Sequence, residues 1–221
     1  MLGYYSIVQD LVDIESKTHN DVLQGDFVDI YDNNTNKTTM AYQWVVENCI
    51  NTQYLLFVDD DFFVNIFNIN QFLSSIPPGS SSGLFMGSII YKGKPFRDKS
   101  SKWYITREEY PYDFYPDYPA GGAILMSMSI AKSLKTAFPF VQYIHIDDCY
   151  LGLVAHKLRI PLQHEPRFDV KETPVMHLNR IFASHGYGDH RNLLVDWDVF
   201  LETIPRNSSH EFYKSYNNSN S

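Results

Sequence analysis

Apolar residues recur along this chain at two spacings, and the switches between them mark its elements. Ala41, Trp44, Val45 and Cys49 lie at helical spacing, which predicts a helix over about 35–50, capped by Asn34 or Thr35. Tyr54 to Val58 is an unbroken apolar run, short enough for a buried strand, and Leu84 to Ile90 is a second. Between them, Asn65 to Leu73 reads as a helix stopped by Pro77-Pro78-Gly79 and a Ser-rich loop. Further helices are expected over about 129–138, after His145 to Asp148 with Leu151, Val154, Ala155 and Leu158 on one face, and near 191–203. Phe27, Val28 and Ile30 suggest a short strand or extended segment. Residues 91–118 form a long irregular segment rich in aromatics and Pro, and a segment of that length in a compact domain is usually functional. The residues after Arg159 read as a basic, polar tail, and 206–221, rich in Asn and Ser, as disordered. Strands alternating with helices predict an α/β layered fold, with residues 1–205 as one domain.

Composition narrows the picture. The 221 residues suffice for one well-buried α/β domain and are few for two. An aromatic content of 15% suits a protein that lays rings against sugars or bases. The net charge of −8, with no evident Lys/Arg cluster, argues against a nucleic-acid partner. No stretch approaches the apolar length of a membrane span. The first residues, MLGYYSIVQDLVDIES, enter a structured pattern without a lead-in, so further sequence upstream is expected. Cys49 and Cys149 allow at most one disulfide. Sequons at Asn33, Asn36, Asn207 and Asn217 matter only if the chain enters the secretory pathway.

The sharpest chemical feature is YLLFVDDDFFVN, residues 54–65. Asp59, Asp60 and Asp61 are flanked by apolar residues on both sides, unlike an ordinary solvated acidic run. Carboxylates held at the lip of a core strand repel one another and lose hydration unless something positive joins them. Asp-x-Asp at a strand end suits a Mg²⁺ or Mn²⁺ that carries phosphates. The plainer alternative is a turn whose Asp residues cap the next helix.

Five segments, taken in order, resemble one family. They are DVLQGDFVDIYDNNTNKT, YLLFVDDDFFVN, KWYITREEYPYDFYPDYPAGGAILMS, HIDDCYLG and ASHGYG, spread over about residues 20–198. Together they resemble the β1,3-galactosyltransferase group, glycosyltransferase family 31, which includes related β1,3-N-acetylglucosaminyltransferases. The resemblance implies a GT-A fold, a Rossmann-like mixed sheet flanked by helices. It also implies a UDP-sugar donor such as UDP-galactose or a UDP-N-acetylhexosamine, Mn²⁺, and inversion at the anomeric carbon. The acceptor implied is a glycoprotein or glycolipid glycan. The implied location is the Golgi lumen, tethered by an N-terminal membrane helix.

Several residues take roles from this resemblance. Asp59 and Asp61 would ligate the metal, with His185 as the third ligand and His177 as its rival. Asp60 would accept a hydrogen bond from the ribose. An inverting displacement needs a base opposite the leaving group. Asp148 takes that role, with Asp147 orienting, although two carboxylates at a helix start also serve simply to complement its dipole. Gly121 and Gly122 would let backbone approach a bound sugar, or they form only a bend into a strand. Trp103, Tyr104, Tyr115 and Tyr118 are candidates for stacking on sugar rings or for the core. Lys37 would help neutralise phosphates, or it is an ordinary solvated lysine. The family's earlier strand, with its Arg and Trp, and the membrane helix have no counterpart before residue 20, which leads us to expect a fragment or a shortened product with an open sheet edge. Two other readings stay open: a non-catalytic relative, and a metal-dependent phosphohydrolase.

Overall fold

The computed structural model describes residues 2–204 apart from 78 and 80–82, and only the backbone of residues 2–6. The expected tail at 206–221 and the sequons at Asn207 and Asn217 lie outside the described residues. In chain order the helices are α1 (Leu2–His19), α2 (Asn34–Asn48), α3 (Ile66–Ser75), α4 (Met128–Ala137), α5 (Asp147–Leu158) and α6 (His190–Thr203). The strands are β1 (Tyr54–Val58), β2 (Phe62–Val64), β3 (Phe85–Ile90), β4 (Tyr118–Ser127), β5 (Gln163–His164), β6 (Phe168–Asp169) and β7 (Ala183–His185).

The larger sheet has the order β1-β4-β3-β5, antiparallel at β1–β4 and β3–β4 and parallel at β3–β5. Alternation along its strands sends side chains to opposite faces, and both faces are covered. Leu55, Phe85, Ile124 and Met126 pack with Tyr42 of α2, Leu134 of α4 and Leu151 and Val154 of α5. Met86, Ala123 and Leu125 point the other way, against Phe62, Ile69 of α3, Phe168 and Phe182. A smaller sheet, β2-β7-β6, lies on that second side. Phe63, Leu178, Ile181, Tyr187 and Phe200 of α6 form a third cluster beyond it. The result is the mixed α/β fold expected from the alternating pattern.

Three local readings need correction, and one helix was not foreseen. Of the two readings of residues 27–30, the strand fails, because Val28 and Ile30 face solvent and find no ladder partner, while Ile30 is extended as it enters the short 3-10 turn Tyr31–Asn33. The buried face of α2 is centred on Thr35 and Tyr42 rather than on Trp44, which is 44% exposed. The segment after Arg159 is not a polar tail. Phe168, Leu178, Phe182 and Ala183 are fully or almost fully buried there, and Phe168 and Ala183 lie in strands of the second sheet. Helix α1 was not foreseen, and its apolar residues Ile7, Leu11 and Ile14 are exposed, so it contributes no core pattern to read.

The irregular segment 91–118 is held from within. Arg97 donates to the carbonyls of Ile105 at 2.8 Å, Thr106 at 2.9 Å, Tyr110 at 2.6 Å and Tyr112 at 3.0 Å. One guanidinium thus substitutes for the ladder that this backbone lacks. Tyr110 and Tyr115 stack with centroids 4.5 Å apart and are buried. The two cysteines are unpaired, Cys149 being buried in the core beneath α5.

Candidate active site

The site is assembled where β1 ends, β4 begins and α5 starts. Strand β1 closes on the Asp59 backbone N–H, which donates to Gly122 O at 2.8 Å. The chain then turns through Asp60 and Asp61 into β2. Gly122 has φ +101°, and a Cβ there would fall 2.2 Å from the Phe62 ring, so only glycine lets β4 pass this close to the acidic turn.

Asp61 and His185 come together. Pairing of β2 with β7 sets Phe62 opposite His185, and His185 Nε2 lies 3.1 Å from Asp61 Oδ2. The Asp61 carbonyl is also fixed, accepting from the N–H groups of Gly186 and Tyr187. The other carboxylate oxygen, Asp61 Oδ1, is sealed from solvent and has no hydrogen-bond partner. A buried acceptor left unsatisfied is costly, and a cation would relieve it. These two side chains therefore fit a divalent ion held by oxygen and nitrogen donors. The full triad does not converge: among the described residues, no three His, Cys, Asp or Glu side chains are grouped closely enough to enclose a metal. Asp59 makes no side-chain hydrogen bond or ion pair with either Asp61 or His185. His177 is exposed on the 3-10 segment Val175–Arg180, with no hydrogen bond or ion pair to the acidic turn.

The second acidic centre is better ordered. Asp147 and Asp148 open α5, as the sequence suggested. Asp148 accepts from the backbone N–H of Gly121 at 3.2 Å through Oδ2 and from that of Cys149 at 2.6 Å through Oδ1. Asp147 accepts from the Thr38 hydroxyl at 2.9 Å, which ties α5 to α2. Burial, with the Asp147 charge adding to it, pushes the Asp148 carboxyl up to about 6, against the pull of the two N–H donors. Asp59 is raised by burial and then by the charge of Asp147, which acts on it more strongly than Asp61 or Asp60 does. Gly122 O takes the Asp59 N–H and the neighbouring Gly121 N–H goes to Asp148, so adjacent residues of β4 tie the acidic turn to the α5 pair, 88 positions apart in the chain from Asp59 to Asp147.

The remaining candidates divide. Gly121 sits against Asp148 and serves it by its N–H. Lys37 is exposed and forms an ion pair with Asp29 at 3.1 Å, while its charge still lowers Asp59. Asp60 is exposed at the tip of the turn. Trp103 is 40% exposed and its indole lies against the Tyr31 phenol. Tyr118 and Tyr104 are half-buried. Tyr115 is 4% exposed and belongs to the core, so it has no face for a sugar. Tyr31 and Thr38 were missed. Burial, and after it the charges of Asp148 and Asp147, push the Tyr31 hydroxyl up to about 12. Thr38 adjoins Lys37, and only the pairing of α2 with α5 reveals its partner.

Comparison with known proteins gives this geometry a context. The galactosyltransferase family profile matches residues 3–166, most of the chain. The chain belongs to the galactosyltransferase family. It is similar to the Drosophila melanogaster beta-1,3-galactosyltransferase brn, 34% identical over 187 residues, covering 83% of this chain and 58% of that protein. It is also similar to the lactosylceramide 1,3-N-acetyl-beta-D-glucosaminyltransferase of Xenopus tropicalis, 33% identical over 82% of this chain and 48% of the relative. With the beta-1,3-galactosyltransferase 5 of Gorilla gorilla gorilla it shares 31% identity over 85% of this chain and 64% of the relative. The chain thus spans about half to two thirds of the length of these relatives. A solved glycosyltransferase involved in the glycosylation of the major capsid of PBCV-1 overlaps 83% of this chain and 85% of its own, at 14% identity and a TM-score of 0.40, a likeness too slight to carry an argument. Among the described residues, no helix is long and apolar enough to cross a membrane.

Proposed function

We propose that this chain carries the catalytic part of a β1,3-hexosyltransferase. It would move galactose or an N-acetylhexosamine from a UDP-sugar to a glycan hydroxyl, with inversion at the anomeric carbon. One observation carries this reading: adjacent residues of β4 hold the two acidic centres together, Gly122 O accepting from the Asp59 N–H and the Gly121 N–H donating to Asp148. A diphosphate leaving group and a proton acceptor are the two charged requirements of such a transfer.

Asp148 is the base in this account. It sits with Asp147 at the start of α5, held by the Gly121 and Cys149 N–H groups. The acceptor oxygen forms its bond to the anomeric carbon as the bond to the phosphate oxygen breaks. The acceptor proton passes to the Asp148 carboxylate, and UDP departs. Asp147, held by the Thr38 hydroxyl, stands beside the base and raises its affinity for the proton. Asp61 and His185 are the residues that would hold Mn²⁺, with Asp59 adding negative charge from the same turn. When bound, the ion would offset the charge that grows on the diphosphate. Asp60, exposed at the tip of the turn, would meet the ribose.

The relatives named above act on galactose or N-acetylglucosamine transfer, and one is named for lactosylceramide, so a glycoprotein or glycolipid glycan is the acceptor class proposed here. A Golgi lumenal location with a membrane anchor elsewhere in the protein belongs to the same proposal. The test is to incubate the protein with Mn²⁺, UDP-galactose, UDP-N-acetylglucosamine or UDP-N-acetylgalactosamine, and simple glycosides, and to read product by mass. An added hexose or N-acetylhexosamine supports transfer. Release of free sugar with no glycoside product would argue for hydrolysis instead.

A further inference from the structure

A cavity of about 480 Å³ opens near the start of α5, between the turn at Tyr31 and the loop that carries Lys99, Lys102 and Tyr104. Its size falls in the usual range for small-ligand sites, about 300–1,000 Å³. Neither α5 carboxylate lines it, but two of its residues connect it to them. Tyr31, which lines the cavity, feels the charges of both Asp148 and Asp147, and His145 in its wall lies two residues before Asp147.

The charges in the wall are uneven. Glu109 is occupied, since His145 Nδ1 stands 2.6 Å from its carboxylate. Lys99 and Lys102 have no ion-pair partner among the described residues. Lys102 instead rests over aromatic faces, 4.7 Å from the centroid of Trp103 and 5.7 Å from that of Tyr31. Asp32, exposed at the rim, is the other carboxylate in the lining. The surrounding sequence is more basic than the chain as a whole suggests. Residues 92–102 hold five basic side chains and one acidic, in a protein of net charge −8. Arg97 is consumed internally by carbonyls, which leaves the lysines to face outward. The sequence reading, which found no Lys/Arg cluster, passed over this run.

Two unpaired ammonium groups beside two tyrosine rings suit a sugar that bears negative charge. We infer that this cavity receives the acceptor beyond its reacting sugar, and that Lys99 and Lys102 select acceptors carrying an anionic group, a carboxylate or a sulfate. The inference rests on the transferase reading, and its test keeps the two apart.

The experiment compares three acceptors: N-acetyllactosamine, its 6-O-sulfated form and its 6′-sialyl form. Each is measured by saturation-transfer NMR without donor and by transfer rate with UDP-sugar and Mn²⁺. The expected result is a KM at least about fivefold lower for one or both charged forms, the size expected of two partly exposed ion pairs. The sulfated and sialylated arms identify which anion is read. The preference should shrink at about 0.5 M salt. It should vanish in the Lys99→Gln, Lys102→Gln double variant and persist in Lys102→Arg. Equal KM for all three acceptors, or a preference that survives the double variant, overturns the inference. Anion-selective binding without any transfer upholds this subsite and overturns the transferase reading. A far-UV spectrum matching wild type guards against misfolding of the double variant.

Discussion

Replacing Asp148 by Asn separates chemistry from binding and carries its own stability signature. The side chain keeps its shape but can no longer take a proton, so transfer should fall by about 10²–10⁴-fold while UDP-sugar affinity survives. Two opposing effects act on stability. Asp148 offers one oxygen each to the N–H groups of Gly121 and Cys149, and an amide has only one oxygen to give. One N–H then faces an NH₂ group, at a cost of about 1–3 kcal/mol. Against this stands a cost that the wild type bears. Its carboxyl is raised from 3.8 to about 6 on folding, so ionisation is disfavoured in the folded state. The folded pKa lies above the unfolded one, so this group's contribution is intact below about pH 4 and is lost as pH rises through 6, by about 3 kcal/mol. Asn has no such loss. Relative to wild type, Asp148→Asn should therefore gain about 3 kcal/mol between about pH 4 and pH 8. It should be the less stable protein in acid and of equal or slightly greater stability in base. Urea unfolding at both pH values, calorimetric titration with UDP-sugar, and initial rates test all three parts. A stability difference independent of pH would contradict the raised carboxyl. Loss of donor affinity equal to the loss of rate would contradict the assignment of Asp148 as base.

Other outcomes follow from the same geometry. In the wild type, kcat/KM should rise as pH increases through about 6 and then level, since the base must be ionised to act; a pH–rate profile with no acid limb would argue against it. Asp61→Ala should abolish the Mn²⁺-dependent gain in UDP affinity while shifting Tm little, because one of its oxygens is unsatisfied and the other makes only a partly exposed pair with His185, worth about 0–1 kcal/mol; paired calorimetric titrations with and without Mn²⁺ decide this. Gly122→Ala should destabilise the fold by at least about 2–3 kcal/mol, since the new methyl meets the Phe62 ring at a φ of +101°; thermal unfolding against Gly121→Ala, where a Cβ has ordinary clearance of 3.6 Å, makes the comparison. Arg97→Met should cost about 3 kcal/mol or more by leaving four carbonyls without their shared donor, and protease cleavage within 91–118 should accelerate.

Legibility followed burial. Strand β1, helices α3 to α6 and the start of α5 at Asp147 were readable because their side chains face one core at a fixed period. Phe62-Phe63-Val64 was not readable as a strand, since its partner β7 lies 119 positions further on and three residues carry no period. Nor was the core role of Phe182 and Phe168, embedded among His, Arg and Asp residues that turn outward. In the site, the acidic turn announced itself because carboxylates between apolar runs are anomalous. The closeness of Asp61 to His185 was anticipated only through the family resemblance; strand pairing is what brings them together. The Thr38–Asp147 and Gly121–Asp148 contacts are long-range hydrogen bonds, and no local pattern encodes them. Lys37 was open to two readings, a phosphate contact implied by the resemblance or a solvated lysine, and it is exposed and paired with Asp29.

The most direct test of the central claim is the linkage and configuration of the product. The protein should be incubated with Mn²⁺ and an α-linked UDP-sugar together with an acceptor glycoside, and the product read by NMR. The account predicts a new sugar joined to the acceptor's 3-oxygen with a β anomeric coupling, formed by the wild type and not by Asp148→Asn. An α-linked product, or an unchanged yield from the variant, would contradict it.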